Sequence, residues 1–149
     1  MTQWLDDAQQ SAWRKLIEVV ELLPGALDSQ LRHDADLSHF DYLTLAMLSE
    51  APNRSLRMTA LAELTNATLP RLSHVAARLE ERGYLERTPC PDDRRATNAT
   101  LTETGWTKVV ETAPGHVATV REIVFAGLDG GEVADLDRIM SKILARLGR

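Results

Sequence analysis

Thr68-Leu69-Pro70-Arg71-Leu72-Ser73-His74-Val75-Ala76-Ala77-Arg78-Leu79-Glu80-Glu81-Arg82-Gly83, followed by Asp93-Arg94-Arg95 and Leu101-Thr102, is the most telling part of this chain. Leu72, Val75, Ala76 and Leu79 fall at i, i+3, i+4 and i+7, the spacing of one apolar helical face. Thr68 is a good N-cap, and Pro70 suits a first turn, where backbone N–H groups lack intrahelical partners. Gly83 stands at C′, where a left-handed residue ends a helix. The pattern predicts a helix over about 68–82 that turns Arg71, Ser73 and His74 outward.

Upstream, Met58 to Leu64 reads as a short helix with Leu61, Ala62 and Leu64 inward, and Thr65-Asn66-Ala67 as a tight turn. Two short helices so joined make a helix-turn-helix. Downstream, Tyr84-Leu85-Glu86-Arg87 alternates like a strand, and Thr88 to Ala96, with two prolines and two aspartates, reads as a loop. Thr97 to Leu101 returns as a second strand, and Leu56 suggests a further short one. The hairpin is a wing whose tip, Asp93-Arg94-Arg95, carries two guanidiniums. A basic hairpin placed behind an outward-facing helix is suited to both grooves of DNA.

Further out, Ala12, Leu16, Val19, Val20, Leu23, Leu27 and Leu31 repeat at helical spacing from Asp6 to about His33, with a kink or break expected at Pro24-Gly25. Ser38 and Asp41 resemble a capping box, opening a nearly all-apolar helix with Phe40, Leu43, Leu45, Met47 and Leu48 at the centre of the fold. Thr102 caps a long helix towards Leu128 carrying Val109, Val110, Ala113, Val117, Val120 and Val124, with a kink at Pro114-Gly115. Asp129 and Glu132 cap a last helix with Val133, Leu136, Met140, Ile143, Leu144 and Leu147 as its seam.

The 149 residues, 44% hydrophobic and 26% charged, are enough for one domain with a core of its own. The net charge of −5 argues at first against a nucleic-acid partner. Residues 1–53 hold 3 basic and 9 acidic side chains, residues 54–95 hold 8 and 6, and residues 96–149 hold 6 and 7. Only the middle stretch, which contains the outward-facing helix and the wing, is net positive. Screening limits an exposed charge to about 8–10 Å, so this local balance governs attraction to phosphate. The acidic flanks predict modest affinity for random DNA and a steep salt dependence. No apolar run approaches the roughly 18 residues that span a bilayer. Met1 to Asp7 lacks the basic start and apolar centre of a secretory signal, and a single cysteine excludes an intrachain disulfide, so the expected address is the cytoplasm.

This order of elements resembles the MarR family of bacterial transcription regulators. The resemblance is carried by Leu79 through Arg87, by Asp93-Arg94-Arg95, and by Leu101-Thr102 with Gly105. The family's wing pattern is Asp-x-Arg, three residues, Val, one residue, then Leu-Thr. Asp93, Arg95, Leu101 and Thr102 match it, while Ala99 replaces the valine with a smaller apolar residue. The likeness spans essentially the whole chain. It implies a mainly α fold in which a winged helix-turn-helix, about 37–102, joins N- and C-terminal helices, about 1–36 and 103–149, that form the dimerisation region of a homodimer. It also implies a sequence-specific regulator, in most relatives a repressor, released in many by a small aromatic or phenolic effector. Dimer symmetry then predicts a pseudo-palindromic operator in double-stranded DNA, with half-sites about 10 bp apart or a multiple of that.

The resemblance implies that Arg95 enters a minor groove and that Asp93 holds it there by a charge-assisted hydrogen bond. Arg94 is expected at the phosphates. On the recognition helix, Thr68, Arg71, Ser73, His74 and, further along, Arg78 are candidates for base edges and phosphates, with Arg71 suited to guanine. The family often has arginine where His74 stands. Arg78 and Arg82 have a competing role as braces of the fold, and Arg54 and Arg57 are candidate phosphate clamps. Trp13, Phe40, Trp106 and His116 are candidates to line an effector pocket, although aromatics at helical spacing are more often core.

An enzyme is disfavoured: the four histidines are scattered, and no HExxH, paired-cysteine or Gly-rich phosphate motif organises them. No metal site and no cofactor are expected. Two rival readings stay open. One is a winged helix that has lost DNA binding and serves as a protein-interaction module, favoured by the acidic charge and by His74. The other is a redox- or metal-responsive regulator of the same family, because Arg87, Arg94 and Arg95 lie near Cys90 in sequence and would lower its pKa.

Overall fold

The computed structural model describes residues 1–149, and the apolar run after Ser38 forms its central helix. α1 (Asp7–Ala35) leads to α2 (His39–Glu50), β1 (Ser55–Arg57), α3 (Met58–Leu64), α4 (Leu69–Glu81), β2 (Leu85–Pro89), β3 (Thr97–Leu101), α5 (Glu103–Val120) and α6 (Gly130–Arg146). α5 runs on into a π-helical turn, Arg121–Phe125. The capping box at α2 is reciprocal: Ser38 Oγ accepts from the Asp41 N–H and Asp41 Oδ2 from the Ser38 N–H, both at 2.9 Å. Thr68, Thr102 and Asp129 cap α4, α5 and α6 as their sequence positions suggest.

The strands form one antiparallel sheet in the order β1-β3-β2. Register places Ala99 between Leu56 and Arg87, fully buried, so the small residue in the valine position still points into the core. Leu31, Leu45, Leu48, Leu61, Leu72, Leu79 and Leu85 are almost completely buried around it. Each contributes on the order of 1.5–3 kcal/mol of transfer free energy. Every buried residue lies between Leu27 and Thr112, so this core belongs to the winged region and its two flanking helices.

Three expectations need correction. α1 runs unbroken through Pro24-Gly25, so the break the sequence allowed for does not occur; α5 likewise continues through Pro114-Gly115. A proline removes one i→i−4 hydrogen bond, and the turns on either side, together with a capping box at Asp6 and a left-handed cap at Asp36, sustain α1. Leu64 is exposed, because α3 starts at Met58 and buries Met58, Leu61 and Ala62 at i, i+3 and i+4. β2 extends through Pro89, which faces Thr97 at the end of the ladder, where a missing N–H is tolerated. The apolar seam of α6, expected to serve dimerisation, has no residue buried within this chain.

Gly105 joins the wing to α5. Thr102 Oγ1 donates to the Gly83 carbonyl at 2.6 Å and accepts from the Gly105 N–H at 3.0 Å, while the Thr102 N–H donates to the Tyr84 carbonyl at 3.1 Å. A Cβ on Gly105 would lie 2.0 Å from that carbonyl oxygen. Only a residue without a side chain allows this approach.

Candidate nucleic-acid interface

α4 begins where Thr68 Oγ1 accepts the Arg71 N–H at 3.3 Å, which fixes the third helical residue relative to the preceding turn. That turn is held by Asn66, one of the residue types that tolerate a left-handed conformation, at φ 54°. Thr68, Arg71 and His74 are exposed and Ser73 is half-buried. The helix thus presents the predicted residues outward from its first two turns.

Arginine fates differ sharply. Arg78 pairs with Asp41 at 3.4 Å, tying α4 to the start of α2. Arg82 donates to the Asp36 carbonyl at 2.8 Å and stacks over Tyr84. Arg54, in a left-handed backbone with φ 54°, donates to Glu103 Oε1 at 3.0 Å and lies 3.9 Å over the Trp106 ring. Arg87 engages Glu80 through its backbone N–H at 2.7 Å and its guanidinium at 3.1 and 3.2 Å. The backbone bond, reinforced by the guanidinium, holds the Glu80 carboxyl below its usual range against the opposing effect of burial. These contacts brace the fold. In this structure Arg78, a sequence candidate for base contact, pairs with Asp41, and Arg54, a candidate phosphate clamp, pairs with Glu103.

Arg57, Arg71 and Arg94 have no carboxylate partner within salt-bridge distance. At the wing tip, Asp93 Oδ1 accepts the Arg95 backbone N–H at 3.1 Å and lies 3.6 Å from Arg95 Nε. The Arg95 side chain is 95% exposed, so this exposed contact leaves the guanidinium projecting into solvent. The tip is closed by backbone bonds from Cys90 to Ala96 at 2.8 Å and from Ala96 to Asp93 at 2.9 Å.

Between α4 and the wing lies a cleft of about 170 Å³. Arg57, Arg87 and Arg95 line it together with Thr59, Ser73 and Thr97, and none of its lining residues is acidic. Arg57, a candidate phosphate clamp from the sequence, belongs here because β1 pairs with β3, placing it opposite Asn98 on the wing. Arg87 was not among the sequence candidates, since nothing local distinguishes it from any strand arginine. No carboxylate lines this cleft, but Arg87 is paired with Glu80 and Arg95 lies beside Asp93, so of its three guanidiniums Arg57 is the one without an acidic partner in a protein of net charge −5.

Cys90 sits at the base of the wing, 5% exposed, with Arg57 Nη2 at 3.6 Å from its sulfur. The backbone N–H of Asp92, then that of Asp93 and the Arg57 guanidinium, hold its thiol below the ordinary range against the opposing effect of burial. The neighbouring cation is Arg57, not the arginines close in sequence.

The four aromatic effector candidates make separate contacts within the chain. Phe40 lies under the Arg71 guanidinium at 4.0 Å, Trp106 lies under Arg54, and Trp13 is exposed on the first half of α1. His116 packs at a tilt against Tyr42, with ring centroids 4.6 Å apart, and stacks with His39 at 6.2 Å, where α5 meets α2. No group of three or more His, Cys, Asp or Glu side chains is arranged to hold a metal ion.

A helix-turn-helix whose second helix shares a cationic cleft with a hairpin wing defines the class of winged-helix regulators. Residues 35–96 match a MarR family model. Sco3205, a MarR family transcriptional regulator from Streptomyces coelicolor solved in complex with DNA, superposes with a TM-score of 0.92 at 43% identity, covering 96% of this chain and 90% of that one. AbsC, a MarR family transcriptional regulator from the same organism, superposes with a TM-score of 0.92 at 37% identity, covering 99% and 100%. The Escherichia coli transcriptional repressor MprA is 27% identical over 106 residues, and the match spans 71% of this chain but 60% of that protein. The chain belongs to the MarR family of transcriptional regulators.

Proposed function

We propose that this protein is a homodimeric, sequence-specific DNA-binding repressor. The observation that carries the reading is the acid-free cleft between α4 and the wing, the place where a duplex backbone would run. In this reading α4 enters the major groove with Thr68, Arg71, Ser73 and His74 near base edges and phosphates. Arg95, oriented by Asp93, enters the flanking minor groove, Arg94 contacts phosphate, and Arg57 and Ser73 meet the backbone between them. Sco3205, 43% identical, was solved on DNA, which supports the same use here.

Dimerisation is supported by what the chain leaves uncovered. Val19, Val20 and Leu22 on α1, Val117 on α5, and Ile139, Ile143 and Leu144 on α6 are exposed. An amphipathic helix with no buried residue gains almost nothing from its own fold, since helices of this length owe most of their stability to packing. A second copy covering residues 1–36 and 103–149 supplies that packing. No helix is long and apolar enough to cross a membrane, and the proposed place of action is the cytoplasm. Release by a small aromatic or phenolic molecule would act by favouring a dimer in which the two heads are wrongly spaced.

The test is a salt-titrated mobility-shift assay on the DNA upstream of the protein's own gene. The expected result is a complex that survives a large excess of random duplex and weakens steeply with salt. Equal affinity for random DNA refutes the reading and favours a protein-interaction module.

A further inference from the structure

Two consecutive residues of α2 each hold an arginine of α4, and they treat it differently. Asp41 pairs with Arg78 through its carboxylate at 3.4 Å. Phe40 offers only a ring, with the Arg71 guanidinium carbon 4.0 Å above its centroid. Arg71 and Arg78 are seven residues apart, so they share one helical face, and α2 sorts them by chemistry. A carboxylate consumes guanidinium N–H groups. An aromatic ring attracts the cation through its quadrupole and leaves the in-plane N–H edges available. Those edges are the ones that form a bidentate contact to guanine O6 and N7.

We infer that Phe40 is a positioning residue that presets the Arg71 guanidinium for reading a base in the major groove. This inference rests on the DNA-binding reading above. The ring is itself well fixed. Phe40 is half-buried against the core, behind the Ser38–Asp41 capping box. The preceding residue is tied to α1, where Asp28 Oδ1 accepts the His39 N–H at 2.8 Å. At the other end the Arg71 backbone is fixed by the Thr68 cap. A long, rotamer-rich side chain held at both ends has lost most of its freedom before DNA arrives, which is the advantage of a preorganised contact. The same geometry takes Phe40 away from an effector pocket and gives it a part in recognition.

The experiment uses the intact protein and the best duplex it selects from a random-sequence library, with every single-base-pair variant of that duplex. Phe40→Leu keeps apolar bulk and removes the ring; Phe40→Tyr keeps the ring. Phe40→Leu is expected to weaken operator binding by about 5- to 30-fold across two half-sites, which is ~0.5–1 kcal/mol per protomer. Discrimination should fall at one base pair per half-site, while affinity for random duplex and the salt slope stay unchanged. Phe40→Tyr should bind within about twofold of the parent. In an Arg71→Ala background Phe40→Leu should have no further effect, because the ring acts only through that guanidinium. Thermal melts establish that each variant is folded. Equal losses from Phe40→Leu with and without Arg71, or no loss at all, overturn the inference while the regulator reading stands. A parent that selects no sequence overturns the regulator reading, and this inference with it.

Discussion

Adding one methyl group at Gly105 should unfasten the wing from α5, and the structure gives the size of the effect. The new Cβ would stand 2.0 Å from the Tyr84 carbonyl oxygen, 2.9 Å from its carbon and 2.6 Å from Leu101 Cδ1. Leu101 has rotamers with which to respond, but the Tyr84 carbonyl is backbone and already accepts the Thr102 N–H at 3.1 Å. Relief therefore requires α5 to move away from the wing base by about 1 Å or more, a distance the packed interior does not absorb elsewhere. Overpacking of this kind costs about 1–3 kcal/mol. The two bonds from Thr102 to Gly83 and Tyr84 put a further ~1 kcal/mol each at risk. Alanine regains ~1 kcal/mol of helix propensity over glycine. The net expectation for Gly105→Ala is a destabilisation of roughly 2–4 kcal/mol, by combination of these terms.

Gly115→Ala is the matched control within the same helix. Its Cβ would meet only Gln30 Nε2 at 3.4 Å and Asp34 Oδ2 at 3.7 Å, the ends of flexible side chains. There the propensity gain survives and the variant should be more stable by about 0.5–1 kcal/mol. The assay is urea unfolding followed by far-ultraviolet circular dichroism, at one fixed protomer concentration because assembly contributes to apparent stability. In thermal melts the Gly105 variant should lose roughly 4–16 °C. Gly105→Ala within ~0.5 kcal/mol of the parent, or both variants shifting in the same direction, refutes the close-approach argument.

Arg95→Ala should weaken operator binding by about tenfold or more without altering the melting curve, since the side chain supports nothing in the fold; unchanged affinity at moderate salt counts against the wing assignment. Burial keeps His39 and His116 pKa values below 6.5, and for His116 the neighbouring His39 charge adds to this. The unfolded chain thus takes up protons first as pH falls through 6.5, so the stabilising effect is full above that pH and lost below it. A stability–pH profile should decline on that side, and His116→Gln should flatten it; an identical slope in the variant refutes the assignment. Cys90→Ser should bind the operator within about twofold of the parent, and hydrogen peroxide should affect both alike, because the thiol is buried at the wing base. A peroxide response confined to the parent would instead make Cys90 a sensor.

What was readable in advance was local. The apolar spacing of Leu72, Val75, Ala76 and Leu79, the Thr68 cap and Gly83 all act within a few turns, so the recognition helix follows from its own residues. The wing follows from strand alternation and its Asp93-to-Thr102 pattern. The fates of the arginines were not readable, because they depend on partners distant in sequence. Arg78 meets Asp41 across 37 residues and Arg54 meets Glu103 across 49, pairings set by how α2 and α5 pack. The exposed seam of α6 has a different cause. Periodicity reports which face of a helix seeks cover, and it is silent on whether that cover comes from the same chain.

The acidic balance of the protein and its proposed affinity for DNA are compatible because the acids are placed selectively. Asp36, Asp41, Glu80 and Glu103 lie on arginines that brace the body. Arg57, Arg71 and Arg94 have no acidic partner, and Arg95 keeps its side chain 95% exposed beside Asp93. Removing a bracing carboxylate should therefore do more than remove a negative charge. Asp41→Asn would leave Arg78 unpaired beside Arg71, adding positive charge to the face that approaches DNA. Affinity for random duplex should rise through the added phosphate attraction, while the capping box at the start of α2 survives, because the asparagine amide oxygen can still accept the Ser38 N–H. Discrimination between operator and random DNA should then shrink through the rise in random binding. On this argument the negative charge of the chain contributes to specificity, because it leaves the duplex attracted only where α4 and the wing can also read it.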